Sequence, residues 1–160
     1  MKNQFRLTVC PLFLAALVLG IFAVMDARAL TAPASNPGVL DAHRRFALGM
    51  IETGNDDLEI GGLGEVSRYQ IMPSVWRHYS NSHRYHDPET SLVVAQQHWA
   101  ALYTGFKQQA HREPSDFDMY VLWNTHYGYY ANHGFNPDRL HPVVRERARR
   151  FVNLIGRNQA

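Results

Sequence analysis

The chain has 160 residues, with 16 basic and 14 acidic side chains and a formal net charge of +2. That is room for one domain. A single cysteine, Cys10, excludes a disulfide within the chain, and its place in an apolar N-terminal run excludes a thiolate zinc site or thiol nucleophile in the remainder.

The N-terminus reads as an export signal. Lys2 and Arg6 precede an almost wholly apolar run over residues 7–25, and Ala27-Arg28-Ala29 is a small-x-small cleavage pattern. Residues 1–29 are therefore expected to be removed, which predicts a periplasmic or extracellular protein without stable membrane insertion. An uncleaved membrane anchor is the alternative, because the run approaches the length of a bilayer span. Removing Lys2, Arg6, Asp26 and Arg28 leaves 13 basic and 13 acidic residues, so the remaining domain is nominally neutral. Nucleic acid is not an expected partner. About 130 residues suffice to bury a core without disulfides.

Residues 30–38, rich in Pro, Ala, Ser and Asn, read as a linker, and residues 39–157 as the folded domain. A first helix is expected over residues 39–52. Leu40, Ala47 and Ile51 share one face, and Phe46 and Met50 widen the stripe. Gly54 is a natural stop. Periodicity then disappears through residues 55–68, which predicts turns and at most short strands. A short helix is expected over residues 69–76, with Pro73 in its first turn.

Residues 80–86 read as a loop. Asp87-Pro88 then opens a long helix to about Phe106, with Asp87 as N-cap and Leu92, Ala95, Trp99, Leu102 and Phe106 as its core stripe. Glu113-Pro114-Ser115-Asp116 marks another helix start, with Phe117, Tyr120, Val121 and Asn124 on one face. Residues 127–136, aromatic and glycine-rich, read as a loop. A last helix is expected over residues 141–155. Its arginines, with Arg139 and Arg157, form a solvated face or, less often, a surface for an anionic polymer. The expected class is mainly α, with a small β or loop excursion after the first helix.

The first candidate site residue is Glu52. At a helix C-terminus the macrodipole is negative, and neighbouring apolar residues imply partial burial. Both effects disfavour the carboxylate and raise the pKa, which suits a general acid. An ordinary surface glutamate ending a helix has the same spacing. Nine histidines raise the question of a metal. His78, His83 and His86 beside Asp87 match no zinc-ligand template, so neither metal nor cofactor is expected.

Four motifs in order give the residues a context: Glu52-Thr53 at a helix end, Tyr69-Gln70-Ile71-Met72-Pro73-Ser74-Val75, Asp87-Pro88 before a long helix, and Leu122-Trp123-Asn124 followed by Gly128. Together they resemble the lysozyme-like superfamily of soluble lytic transglycosylases and goose-type lysozymes, over residues 40–135. The resemblance implies cleavage of the β-1,4 bond between N-acetylmuramic acid and N-acetylglucosamine in peptidoglycan strands, by a monomer with Glu52 as the catalytic acid. In transglycosylases of this family the substrate N-acetyl group assists and a 1,6-anhydro sugar leaves, so a second carboxylate is not obligatory. That differs from the two-carboxylate scheme.

Glu65, in the loop after Glu52, is the candidate second carboxylate, although loop acids are commonly solvated or capping. Gln70 matches the family glutamine and suits a sugar acetamido group, or caps a helix. Tyr69, Trp123, Asn124 and Tyr127 are candidate substrate-binding residues, with Trp123 equally suited to the core. Ser67-Arg68-Tyr69 replaces the family's Gly-Leu-Met, and His126 replaces a glycine. A bulky Arg68 and His126 are expected to narrow the cleft. These departures leave three outcomes open: transglycosylase, hydrolase, or a catalytically inactive module that binds glycan or a protein.

Overall fold

The structure is a computed structural model and describes residues 36–157. The expected signal peptide, and the linker up to Ser35, lie outside the described residues. Six α-helices carry most of the described chain: α1 (Ala42–Glu52), α2 (Pro73–Tyr79), α3 (Pro88–Ala110), α4 (Asp116–Asn124), α5 (Tyr127–Asn132) and α6 (Pro142–Arg157). A 3-10 turn, Pro137–Arg139, precedes α6. The described chain is mainly helical, and no helix in it is long and apolar enough to cross a membrane.

Helices α1, α3 and α4 each begin at a local cap. Asp41 accepts from the Arg44 amide before α1, and Asp87 from the Thr90 amide before α3, with Pro88 in the first turn. Ser115 and Asp118 form a reciprocal capping box at α4. The first helix therefore starts at Ala42, not Val39. Its preceding turn is packed onto the core: Trp99 Nε1 donates to the Pro37 carbonyl at 2.8 Å.

α4 is the centre of the packing. Met119, Tyr120, Val121 and Leu122 are all buried, so this short helix is covered on every side rather than along one stripe. It packs against α3, α5 and α6, and α6 also packs against α1. Trp99 and Phe106 of α3 and Phe151 and Ile155 of α6 complete the interior. Phe46 and Met50, expected to widen the core stripe, are exposed instead. In α1 the buried arc turns toward Ala47, Leu48 and the aliphatic stem of Arg44. Arg44 is 2% exposed and bonds Asp41 and Asp116, each at 2.6 Å.

Two further expectations are corrected. Residues 69–71 are not helical. Val66 and Ile71 form an isolated antiparallel bridge with paired backbone bonds of 2.8 and 2.9 Å, and the helix begins only at Pro73. Among the described residues this bridge is the whole β excursion. Residues 127–136 are not a plain loop either. Tyr127–Asn132 is a helix, because the His126 ring accepts from the Tyr129 amide and supplies an N-cap. Gly134, with φ +66°, then ends it.

Candidate active site

Glu52 is the last residue of α1, and the chain turns sharply after it. Thr53 caps the helix, and its hydroxyl donates to the Arg68 carbonyl at 3.0 Å. That bond ties the helix end to the far side of the loop. Gly54 and Asn55 both adopt positive φ, and the Asn55 amide returns to the Gly49 carbonyl at 3.0 Å.

The Glu52 side chain is only 7% exposed, and both carboxylate oxygens are engaged. Tyr120 donates its hydroxyl to Oε1 at 2.7 Å, and Arg147 Nη2 donates to Oε2 at 2.9 Å. Arg147 Nε also donates to the Tyr120 hydroxyl at 3.0 Å, closing a three-residue ring across α1, α4 and α6. Burial pushes the Glu52 carboxyl above its ordinary range. The Tyr120 bond and the Arg147 charge pull the other way without cancelling burial, and the nearby Glu65 charge adds to the rise. Burial, together with the Glu52 charge, likewise pushes the Tyr120 phenol far up, so it remains a donor.

A cleft of about 470 Å³ lies nearby. It is lined by Glu65 and Gln70 from the loop, by Trp123 and Asn124 at the end of α4, and by His126 and Tyr127 at the start of α5. Five of the expected site residues thus share one cavity. Glu52 does not line it, although the charge of Glu65, which does, acts on the Glu52 carboxyl. Glu65 Oε2 accepts from the Leu63 amide at 2.9 Å. Gln70 adopts φ +51°, a left-handed conformation that non-glycine residues enter at a cost. Gly61 makes room for both: a Cβ there would lie 2.2 Å from Gln70 Oε1 and 2.3 Å from Glu65 Oε2.

Trp123 serves the cleft and the core together. Its ring lies 5.2 Å from His98 and 5.9 Å from Trp99, and Nε1 donates to the Tyr69 carbonyl at 3.1 Å. The Tyr127 hydroxyl is buried without a hydrogen-bond partner among the described residues. Tyr69 is a correction. Its side chain is buried away from the cleft and lines a different cavity with Arg45 and Arg68. Arg68 does not narrow the cleft, because its guanidinium is turned onto Asp57 in a bidentate pair.

Three contributors escaped the sequence reading. The sequence places Tyr120 only on one helix face with Phe117, Val121 and Asn124, and Arg147 among arginines of a solvated face. The signal for Arg147 was present: it stands at helical spacing from Val144 and Phe151, on the buried stripe. His98 lines the cleft, and burial, helped by His78, pulls its imidazole down to about 4. Among the described residues no three His, Cys, Asp or Glu side chains converge on a metal position.

No protein-family model matches the chain, and neither a curated protein nor a solved structure does.

Proposed function

We propose that this chain is an exported, lysozyme-like enzyme that cleaves the β-1,4 bond between N-acetylmuramic acid and N-acetylglucosamine in peptidoglycan. Glu52 is the general acid and base in this reading, and the reaction is that of a lytic transglycosylase assisted by the substrate N-acetyl group. One observation carries it: a buried carboxyl with a raised pKa ends a helix beside a cleft holding Glu65, Gln70 and Asn124. A carboxyl whose pKa burial raises holds its proton to higher pH and can donate it to a glycosidic oxygen. Tyr120 and Arg147 position that carboxyl and stabilise the carboxylate it leaves behind. Gln70 and Asn124 present amides to the sugar acetamido groups, and Trp123 and Tyr127 offer aromatic faces. In this reading Glu65, which lines the cleft, orients a water or steadies positive charge at the anomeric carbon.

A second reading follows from the same ring of bonds. Both Glu52 oxygens are occupied by protein donors, and Glu52 does not line the cleft. These facts favour a catalytically inactive module of lysozyme-like fold that holds glycan or a protein partner. Mass spectrometry of purified peptidoglycan after incubation with the chain separates the readings. Products with 1,6-anhydro ends support the transglycosylase, and reducing ends identify a hydrolase. Retention on peptidoglycan without any product, unchanged by Glu52→Gln, would sink the catalytic reading.

A further inference from the structure

A second cavity, of about 510 Å³, opens between α1, the loop after it and the start of α3. Its polar lining is Arg45, Asn55, Arg68 and Tyr69, and Phe46 and Leu92 supply apolar surface. None of these residues lines the glycan cleft. We propose that this cavity binds the free carboxylate end of a peptide.

Charge selects the anion. Arg68 is already paired with Asp57, whereas Arg45 is exposed and makes no side-chain hydrogen bond or ion pair among the described residues. The lining therefore carries one uncompensated positive charge, which suits a monoanion better than a phosphate dianion. Arg45 has a free guanidinium fork, the geometry that grips a carboxylate with two parallel bonds.

The Tyr69 hydroxyl has no hydrogen-bond partner among the described residues, although the residue is only 4% exposed. Burial raises its pKa, so it stays a donor, and the charges of Arg68 and Arg45 both act on it. Phenol and guanidinium thus line the same cavity.

The remaining groups suit a peptide rather than a bare acid. Asn55 presents a carboxamide, able to pair with the acylamino group next to a terminal carboxylate. The structure accommodates it at some cost. Asn55 adopts φ +69°, and its Oδ1 approaches Gly49 so closely that a Cβ there would meet it at 2.1 Å. Phe46, 45% exposed despite its size, offers a face for the last side chain of the peptide.

The test is a nuclear magnetic resonance titration of the purified chain. The probes are N-acetylphenylalanine, its C-terminal amide, 3-phenylpropanoate and phenyl phosphate, each taken to the order of 10 mM. N-acetylphenylalanine is expected to shift the Tyr69 ring and the backbone amides of residues 42–46. The amide, which lacks the charge, should bind about tenfold more weakly, as should the acid to Arg45→Gln or Tyr69→Phe. Arg45 is exposed, so its replacement leaves the fold intact, which circular dichroism checks. Equal binding of acid and amide, or no shift with any probe, overturns the proposal. Tighter binding of phenyl phosphate reassigns the site to phosphate, and equal binding of 3-phenylpropanoate to simple carboxylic acids; either result overturns it too. The readout involves no glycan, so its failure is distinct from failure of the cleavage reading.

Discussion

Tyr120 stands 68 residues from Glu52 in the chain, and its hydroxyl donates to Glu52 Oε1 at 2.7 Å. That bond favours the charged form of the carboxyl and works against the burial that raises its pKa. Tyr120→Phe removes the bond and keeps the ring stacked on Phe151 at 5.0 Å. The Glu52 pKa should then rise further. If Glu52 is the acid, the alkaline limb of the pH–rate profile moves to higher pH in the variant. Stability should fall by about 1–2 kcal/mol, since Glu52 loses a buried partner. A limb that stays in place means that the bond does not reach the reacting proton.

Glu52→Gln tests the linkage between site and stability. A carboxyl whose folded pKa lies above its unfolded value binds protons more tightly in the native state. Its contribution is most favourable below the unfolded pKa, near 4.5, and is lost as pH rises through the raised folded value. Above that raised value the wild type carries the cost of a buried charge. Glutamine carries none, and Arg147, with a side chain 35% exposed, can turn to water. The thermal midpoint of Glu52→Gln at pH 7 should equal or exceed that of wild type while any glycan cleavage is lost. A clear drop in midpoint would mean that the ion pair outweighs burial.

The end of α1 and the starts of α3 and α4 were legible because their causes are local. Asp87-Pro88, Ser115 and Gly54 act within a few residues of where they stand. The partners of Glu52 were not, because Tyr120 and Arg147 arrive from 68 and 95 residues away. Only the packing of α1 and α4 against α6 brings them together. Tyr120 looked apolar by position, and its hydroxyl gave no sign of a partner. Residues 127–132 misled for a different reason: aromatic and glycine content outweighed the cap, and a histidine cap is weaker in sequence than Ser or Asp. Gln70, Trp123, Asn124 and Tyr127 do meet at one cleft, but Tyr69, adjacent to Gln70, faces another cavity. The left-handed turn at Gln70 separates the two directions.

Gly61→Ala should separate cleft geometry from stability. The added methyl would stand 2.2 Å from Gln70 Oε1 and 2.3 Å from Glu65 Oε2. Both are the far ends of flexible side chains, so they swing aside at a cost of about 1 kcal/mol or less. The two groups then leave the positions they share in the cleft. Glycan cleavage or retention should fall roughly tenfold, because catalytic groups tolerate little displacement. A large loss of stability with unchanged glycan handling would show that Gly61 serves the loop and not the cleft.

Asp118 is a second buried carboxylate, with the opposite balance. Burial alone would raise its pKa, but bonds from Arg112, Tyr130 and Ser115 outweigh it and hold the carboxyl below its ordinary range. Its stability is present above the unfolded pKa and is lost as pH falls through the lowered folded value. Asp118→Asn keeps the shape and removes the charge. The cost should be about 2–3 kcal/mol, tempered because the Arg112 side chain is 43% exposed. Denaturant unfolding measures it, and the variant should lose less stability than wild type on acidification below about pH 4.

His98 gives the domain a pH dependence in a higher window. Its imidazole lies between Tyr79, whose hydroxyl is 3.4 Å from Nδ1, and the Trp123 ring. Burial first, then the neighbouring His78, pulls its pKa down to about 4 from 6.5. For a base depressed in this way the unfolded chain takes up the proton first. Stability is therefore intact above about pH 6.5, falls as pH drops toward 4, and levels off once the native state is also protonated. The whole excursion is roughly 3 kcal/mol. His98→Gln removes the titration while keeping a polar group at the cleft floor. Thermal midpoints measured from pH 7 to pH 4 should decline less steeply in the variant than in wild type. Parallel curves would mean that His98 reaches water easily and that another group governs the acid sensitivity of the cleft.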